Sequence, residues 1–322
     1  MTWSSRASRP IIHSQAFVTS GTLTMVITYI RVATAPKVLK LLPVILALPL
    51  WNVGIGVDLV DAGDRARVSI VVEDALGRSA HPVRIAARVW EVGLLGVRGV
   101  GGERLSLLVN GTEVASSLTG GDGRAYFEFE PRRLGLFPMT VVLKDSPRVQ
   151  DAEGTGILAV WERRRPVLLV EQAVLLADSP AGLRQLAAPS GRQFGDPSAG
   201  AADALTLVGK FYFNLVYLIP AQVNGTDMAV DFHKWLDANG FPPGVVVSVS
   251  STAPELEAFV GTLKEDGWEN VKAGVGASPA FAQALVAQRL KVAIKTDRPR
   301  EDFPRRAKVV NDWLGVRKQL QD

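Results

Sequence analysis

The chain is 322 residues long, 47% hydrophobic and 21% charged, a composition that gives room for two globular domains and excludes a disordered or fibrous protein. Its net charge of +4 is scattered over short clusters such as Arg132-Arg133, Arg163-Arg164-Arg165 and Arg305-Arg306, which read as solvated surface, so no nucleic-acid partner is expected. The absence of cysteine excludes disulfides, thiolate metal sites and a cysteine nucleophile, and the three histidines, His13, His81 and His233, stand in separate segments without ligand spacing.

Residues 1–60 differ from the rest. Lys37 and Lys40 precede Leu41 to Val57, a stretch without a charged residue, in the order of a secretory signal or membrane anchor. Prolines and glycines break this run, no Ala-x-Ala cleavage site stands out, and Met25 is an alternative start to Met1. The other reading is a disordered extension ending in an apolar strand. The expectation is an exported or membrane-anchored protein, with membrane association through residues 41–57.

Residues 61–162 carry short alternating segments: Arg67 to Glu73, Val83 to Val89, Leu105 to Val109, Ala125 to Phe129 and Met139 to Leu143. Between them lie Asn110-Gly111, Gly120-Gly-Asp-Gly123 and Leu134-Gly135, which supply the positive-φ residues that hairpins need. The period of two predicts an antiparallel sandwich. Asp122, between glycines, reads as a turn former rather than a Ca²⁺ ligand. The stretch Ser117 to Phe129, followed by Gly135 to Leu143, resembles immunoglobulin-like or transthyretin-like modules, a likeness that implies a fold and is silent on function.

In residues 163–322 strands and helices alternate. Pro166 to Leu176 reads as a buried strand, Ala201 to Val208 as a helix, Phe211 to Ile219 as a strand and Thr226 to Asn239 as a helix. Strands over Gly244 to Ser248, Asn270 to Val275 and Lys291 to Ile294 then alternate with helices over Pro254 to Gly267, Pro279 to Gln288 and Phe303 to Leu320. This rhythm predicts an α/β doubly wound parallel sheet. Asp178 to Gly200, rich in Pro, Gly, Ser and Ala, reads as a mobile excursion beside the first strand. Gly274-Val-Gly-Ala277 with Ser278-Pro279 fits either an anion site at a helix N-terminus or an ordinary N-cap with proline at the first helical position.

Ligand chemistry in such a sheet sits beyond the carboxyl ends of the strands. The candidate exits carry Glu171, then Ile219-Pro-Ala-Gln-Val-Asn224, then Lys295 to Phe303. With the turn Gly240-Phe-Pro-Pro-Gly244 and the acids Asp297 and Asp302, this order resembles the phosphatidate phosphatase branch of the haloacid dehalogenase superfamily. The resemblance implies an aspartate nucleophile, a second aspartate as acid and base, and Mg²⁺ held by carboxylates. Here Glu171 falls at the nucleophile position, Ala173 at the acid/base position and Ile219 where a serine or threonine is expected. Glu171, Asp297 and Asp302 remain to hold Mg²⁺ with waters. Lys272, Lys291 and Lys295 are alternatives for a phosphate anchor. Glutamate carries its carboxylate about 1 Å further than aspartate, a displacement that can cost about 10²-fold in rate, and loss of the acid/base removes about 10² to 10⁴ more.

The expectation is a degenerate phosphatase-like protein that binds or scaffolds at the cell envelope, with a phosphorylated small molecule or phospholipid as ligand. The alternative is an active Mg²⁺-dependent phosphatase on phosphatidate or another phosphomonoester.

Overall fold

A computed structural model describes residues 65–93, 96–177, 194–221 and 228–321 of the chain. The apolar run 41–57, both candidate starts and residues 178–193 of the Pro/Gly-rich excursion lie outside them. Residues 60–322 form one compact unit.

Nine strands come first: β1 (Ser69–Val72), β2 (Ala75–Gly77), β3 (Val83–Gly93), β4 (Gly96–Gly99), β5 (Arg104–Val109), β6 (Thr112–Leu118), β7 (Arg124–Phe129), β8 (Gly135–Leu143) and β9 (Ala152–Val160). One sheet joins β1, β3 and β4, with β7 also paired to β3; the other runs β2-β9-β8-β5-β6. Alternation decides which side of each strand faces inward: Val83, Ile85, Ala87 and Val89 of β3 meet Leu105 and Leu107 of β5 and Met139 and Val141 of β8 in a single buried core. Asn110 and Gly111 both take positive φ, 51° and 75°, and turn β5 into β6. Asp122 Oδ1 accepts from the Arg124 amide at 3.1 Å, the local turn expected of it.

The third sheet is parallel. It orders β10 (Val167–Glu171), β11 (Asn214–Pro220), β12 (Val245–Val249), β13 (Val271–Gly276), β14 (Lys291–Lys295) and β15 (Lys308–Val310) as β12-β11-β10-β13-β14-β15. A strand covered on both faces must be apolar throughout, and Val167 to Val170 are all buried. Helices α2 (Ala201–Phe211), α3 (Met228–Ala238) and α6 (Trp313–Gln321) cover one face; α4 (Ala253–Glu265) and α5 (Pro279–Ala287) cover the other. Ala159 of β9 belongs to the second of these cores, with Leu76, Leu136 and Trp161 packed against it, so the two parts share apolar contact.

The expected class, a haloacid dehalogenase-like α/β chain with an accessory sandwich, needs correction. Strand makes up 40% and helix 26% of the described residues, and nine of the fifteen strands lie in the antiparallel and mixed sheets. The chain is predominantly β, and the parallel sheet is one of its three. The excess came from elements that hydropathy hides. β6 is a largely exposed edge strand rich in Ser and Thr, and β9 carries Gly154 and Gly156 where the backbone of β1 passes close.

Two expected elements also break up. The run ending at Leu176 leaves its strand at Glu171 and closes as one helical turn, α1 (Gln172–Leu175). The helix expected over Phe303 to Leu320 is a 3-10 turn at Arg300–Asp302, then β15, then α6. The Arg300 guanidinium takes the carbonyls of Phe303, Pro304, Arg305 and Ala307, acceptors that a helix through Pro304 would otherwise need. Asp312 Oδ1 then accepts from the Gly315 amide at 2.7 Å and starts α6. Among the described residues no helix is long and apolar enough to cross a membrane.

Candidate functional site

The strand order reverses between β10 and β13, and the crevice of an open sheet falls beyond the carboxyl ends at that reversal. A cavity of about 430 Å³ lies there, with Glu171, Ala173, Pro220, Ser251, Ser278 and Phe281 among its walls. Its chemistry is set by where β13 hands over to α5. Ser278 is the N-cap of that helix, and its Oγ accepts from the Phe281 amide at 3.2 Å. Pro279, which has no amide hydrogen to offer, sits at the first helical position.

The remaining donors at this helix start point at Glu171. Its Oε2 accepts from the Ala277 amide at 2.7 Å and the Ser278 amide at 3.0 Å, and its Oε1 accepts from Ser278 Oγ at 2.5 Å. The N-cap reading of Ser278-Pro279 is the one the structure shows. The residue caps the helix, and the anion at the helix N-terminus is a carboxylate of the same chain. β13 must run close for this contact: a Cβ on Gly276 would lie 2.7 Å from Glu171 Oε2 and 2.3 Å from the Phe281 ring.

Of the other expected residues, Ala173 and Ile219 line the same crevice, whereas Asp297, Asp302 and the three lysines are not among its walls. Ala173 is exposed on α1 and brings no acid or base. Ile219, 1% exposed, packs into the core beneath α2 and α3 and brings no hydroxyl. Asp297 and Asp302 are exposed on the segment after β14, away from the crevice walls. Lys272 and Lys291 are exposed on β13 and β14, and Lys295 is half-buried at the end of β14. Among the described residues no three His, Asp or Glu side chains gather as a metal cluster. Among the described residues the crevice wall has one carboxylate, already accepting three hydrogen bonds, and no second acid, so these donors by themselves do not fit Mg²⁺.

The turn that supported the family resemblance has a structural cause. Gly240 closes α3 with φ 70°, and Phe241 is buried. The buried Tyr217 hydroxyl donates to the Pro242 carbonyl at 2.7 Å, and its pKa is pushed up by desolvation. Gly244 leaves the room that β11 needs, since a Cβ there would stand 2.6 Å from the Leu215 carbonyl oxygen.

The sequence matches no family model and no curated protein. Solved structures do match. One is the CARDB domain of a Pyrococcus furiosus protein in complex with di-metal ions, at 16% identity and TM-score 0.23, covering 30% of this chain and 86% of that one. Another comprises fibronectin(III)-like modules of Clostridium thermocellum CbhA, at 12% identity and TM-score 0.20, covering 28% of this chain and 94% of that one. A third is the cell-surface-expressed, multi-modular chitinase ChiW of a Paenibacillus strain, at 9% identity and TM-score 0.23, covering 81% of this chain and 32% of that one. None of the three is a haloacid dehalogenase or a phosphatidate phosphatase. Likenesses this distant transfer neither fold nor activity. The expected membership is nevertheless corrected, since the matches are β modules and a multi-modular chitinase.

Proposed function

We propose that the chain is a non-catalytic binding or scaffolding protein of the cell envelope. The observation that carries this reading is that both oxygens of Glu171 are engaged by Ala277 and Ser278. A nucleophilic carboxylate needs a free lone pair aimed at its target and an acid/base beside it. Glu171 has its oxygens turned into a helix start, and residue 173 is alanine. A carboxylate at the crevice also repels phosphate, so an uncharged or apolar ligand suits this slot better than the phosphorylated one expected from sequence. The envelope placement rests on Lys37 and Lys40 ahead of the uncharged stretch Leu41 to Val57.

The test is hydrolysis of p-nitrophenyl phosphate by the full chain with and without Mg²⁺. The expected result is no turnover above the blank for the parent or for Glu171→Ala. Turnover in the parent that Glu171→Ala abolishes would overturn the reading.

A further inference from the structure

A second cleft, of about 490 Å³, lies between the outer face of the β1-β3-β4 sheet and the carboxyl ends of β11 and β12. On its sheet wall Arg88 of β3 stands directly opposite Arg124 of β7. Directly opposed residues of an antiparallel pair have Cβ atoms about 5 Å apart, and like charges there are destabilising. Arg88 is left without a counter-charge among the described residues, and Arg124 is only partly compensated. Arg88 has no ion pair or hydrogen bond among the described residues, its Nε is buried without a partner, and its guanidinium lies 5.7 Å from the Trp90 ring. Arg124 is favoured in its charged form by the Tyr126 hydroxyl and then by the charges of Glu73 and Asp122, and its ion pair with Asp122, at 3.8 Å, is exposed and worth little.

The rest of the wall supplies complementary chemistry. Glu73 is the acid left to accept from a ligand, because Asp74 is already bound by three donors. Tyr126 is exposed and offers ring surface, one face of it covered by the Arg84 guanidinium at 3.8 Å, while Trp90 lines the wall as a nearly buried ring. Facing them are the apolar Pro220, Met228 and Val247.

We infer that this cleft is a binding site for an acidic sugar, with the oxyanion on the Arg88–Arg124 pair, hydroxyls on Glu73 and the apolar ring face toward Tyr126. An anion between two opposed guanidiniums relieves their repulsion and makes charge-assisted hydrogen bonds, bidentate where the geometry allows. A carboxylate sugar and a phosphosugar share this chemistry. The site is distinct from the Glu171 crevice and stands or falls apart from the reading given to it.

Calorimetric titration of the full chain at fixed ionic strength tests it, with glucuronate, glucose 6-phosphate, glucose and inorganic phosphate as probes. Saturable binding of glucuronate or of glucose 6-phosphate is expected, and the stronger of the two identifies the oxyanion. Glucose should bind at least tenfold more weakly, and Arg88→Lys and Arg124→Gln should each weaken binding by about ten- to a hundredfold through lost charge-assisted bonds. Arg124→Gln alters an exposed side chain, so it carries the comparison if the Arg88 variant fails to fold. Absence of saturable binding, equal binding of glucose, binding of inorganic phosphate as tight as that of the sugars (an adventitious ion only), or unchanged binding by the variants would overturn the proposal.

Discussion

Asp74, between β1 and β2, and His233, on α3, meet at 2.7 Å across 159 residues of chain and join the sandwich to the helical layer of the parallel sheet. The same carboxylate accepts from the Ile157 amide of β9 at 2.7 Å and the Val246 amide of β12 at 2.8 Å, and its side chain is 1% exposed. Three elements therefore converge on one buried acid. Removing it leaves the amides of half-buried Ile157 and buried Val246 and a histidine without an acceptor. Asp74→Ala should lower unfolding stability by about 3–5 kcal/mol. Chemical denaturation would show it; a loss under 1 kcal/mol would mean the seam is held by apolar contact alone.

Glu171→Ala strips the start of α5 of its anion and leaves the Ala277 and Ser278 amides without their acceptor. The expected loss is about 1–3 kcal/mol, with Glu171→Gln intermediate because an amide oxygen can still accept from the backbone. Comparing the two by thermal unfolding separates the lost hydrogen bonds from the lost charge. Equal stability of all three proteins would contradict a capping role.

Gly276→Ala should be disruptive although the change is one methyl group. The new carbon would lie 2.3 Å from the Phe281 ring and 2.7 Å from Glu171 Oε2, so overpacking by about 1–3 kcal/mol is expected. Gly261→Ala, where the added Cβ meets open space, is the control. Similar melting temperatures for the two variants would refute the close approach.

Tyr217 makes an alkaline prediction. Burial raises its pKa above the ordinary tyrosine value of 10.0. A pKa raised on folding contributes stability below the unfolded value and loses it as pH rises above about 10. Absorbance at 295 nm should therefore show one of the four tyrosines withheld from titration until the protein unfolds. A single transition of all four near pH 10 in the folded protein would count against the Tyr217–Pro242 bond.

Periodicity carried much of the architecture. The inward set Val83, Ile85, Ala87 and Val89, the Asn110-Gly111 turn and the Ser278-Pro279 cap are local patterns, and local patterns survive in sequence. β6 and β9 escaped because an edge strand with polar residues and a glycine-bearing strand alternate weakly. The split of the last helix turned on Arg300, whose side chain captures carbonyls that no hydropathy pattern reveals. The acid at the exit of β10 was visible, but its partners lie 106 and 107 residues away, and an isolated carboxylate reads the same whether it faces a ligand or a helix. His233 stood alone in the sequence for the same reason, its partner Asp74 lying 159 residues away.

Glu171 also acts as a competitor. A flexible tether presents its group at an effective concentration in the mM range, and a strand end that holds the group in place without a linker raises this further. Any phosphate or carboxylate arriving from solution would have to displace an anion that never diffuses away. At the Ala277 amide and the Ser278 hydroxyl the chain thus supplies its own anion, fixed in place by the strand that carries it.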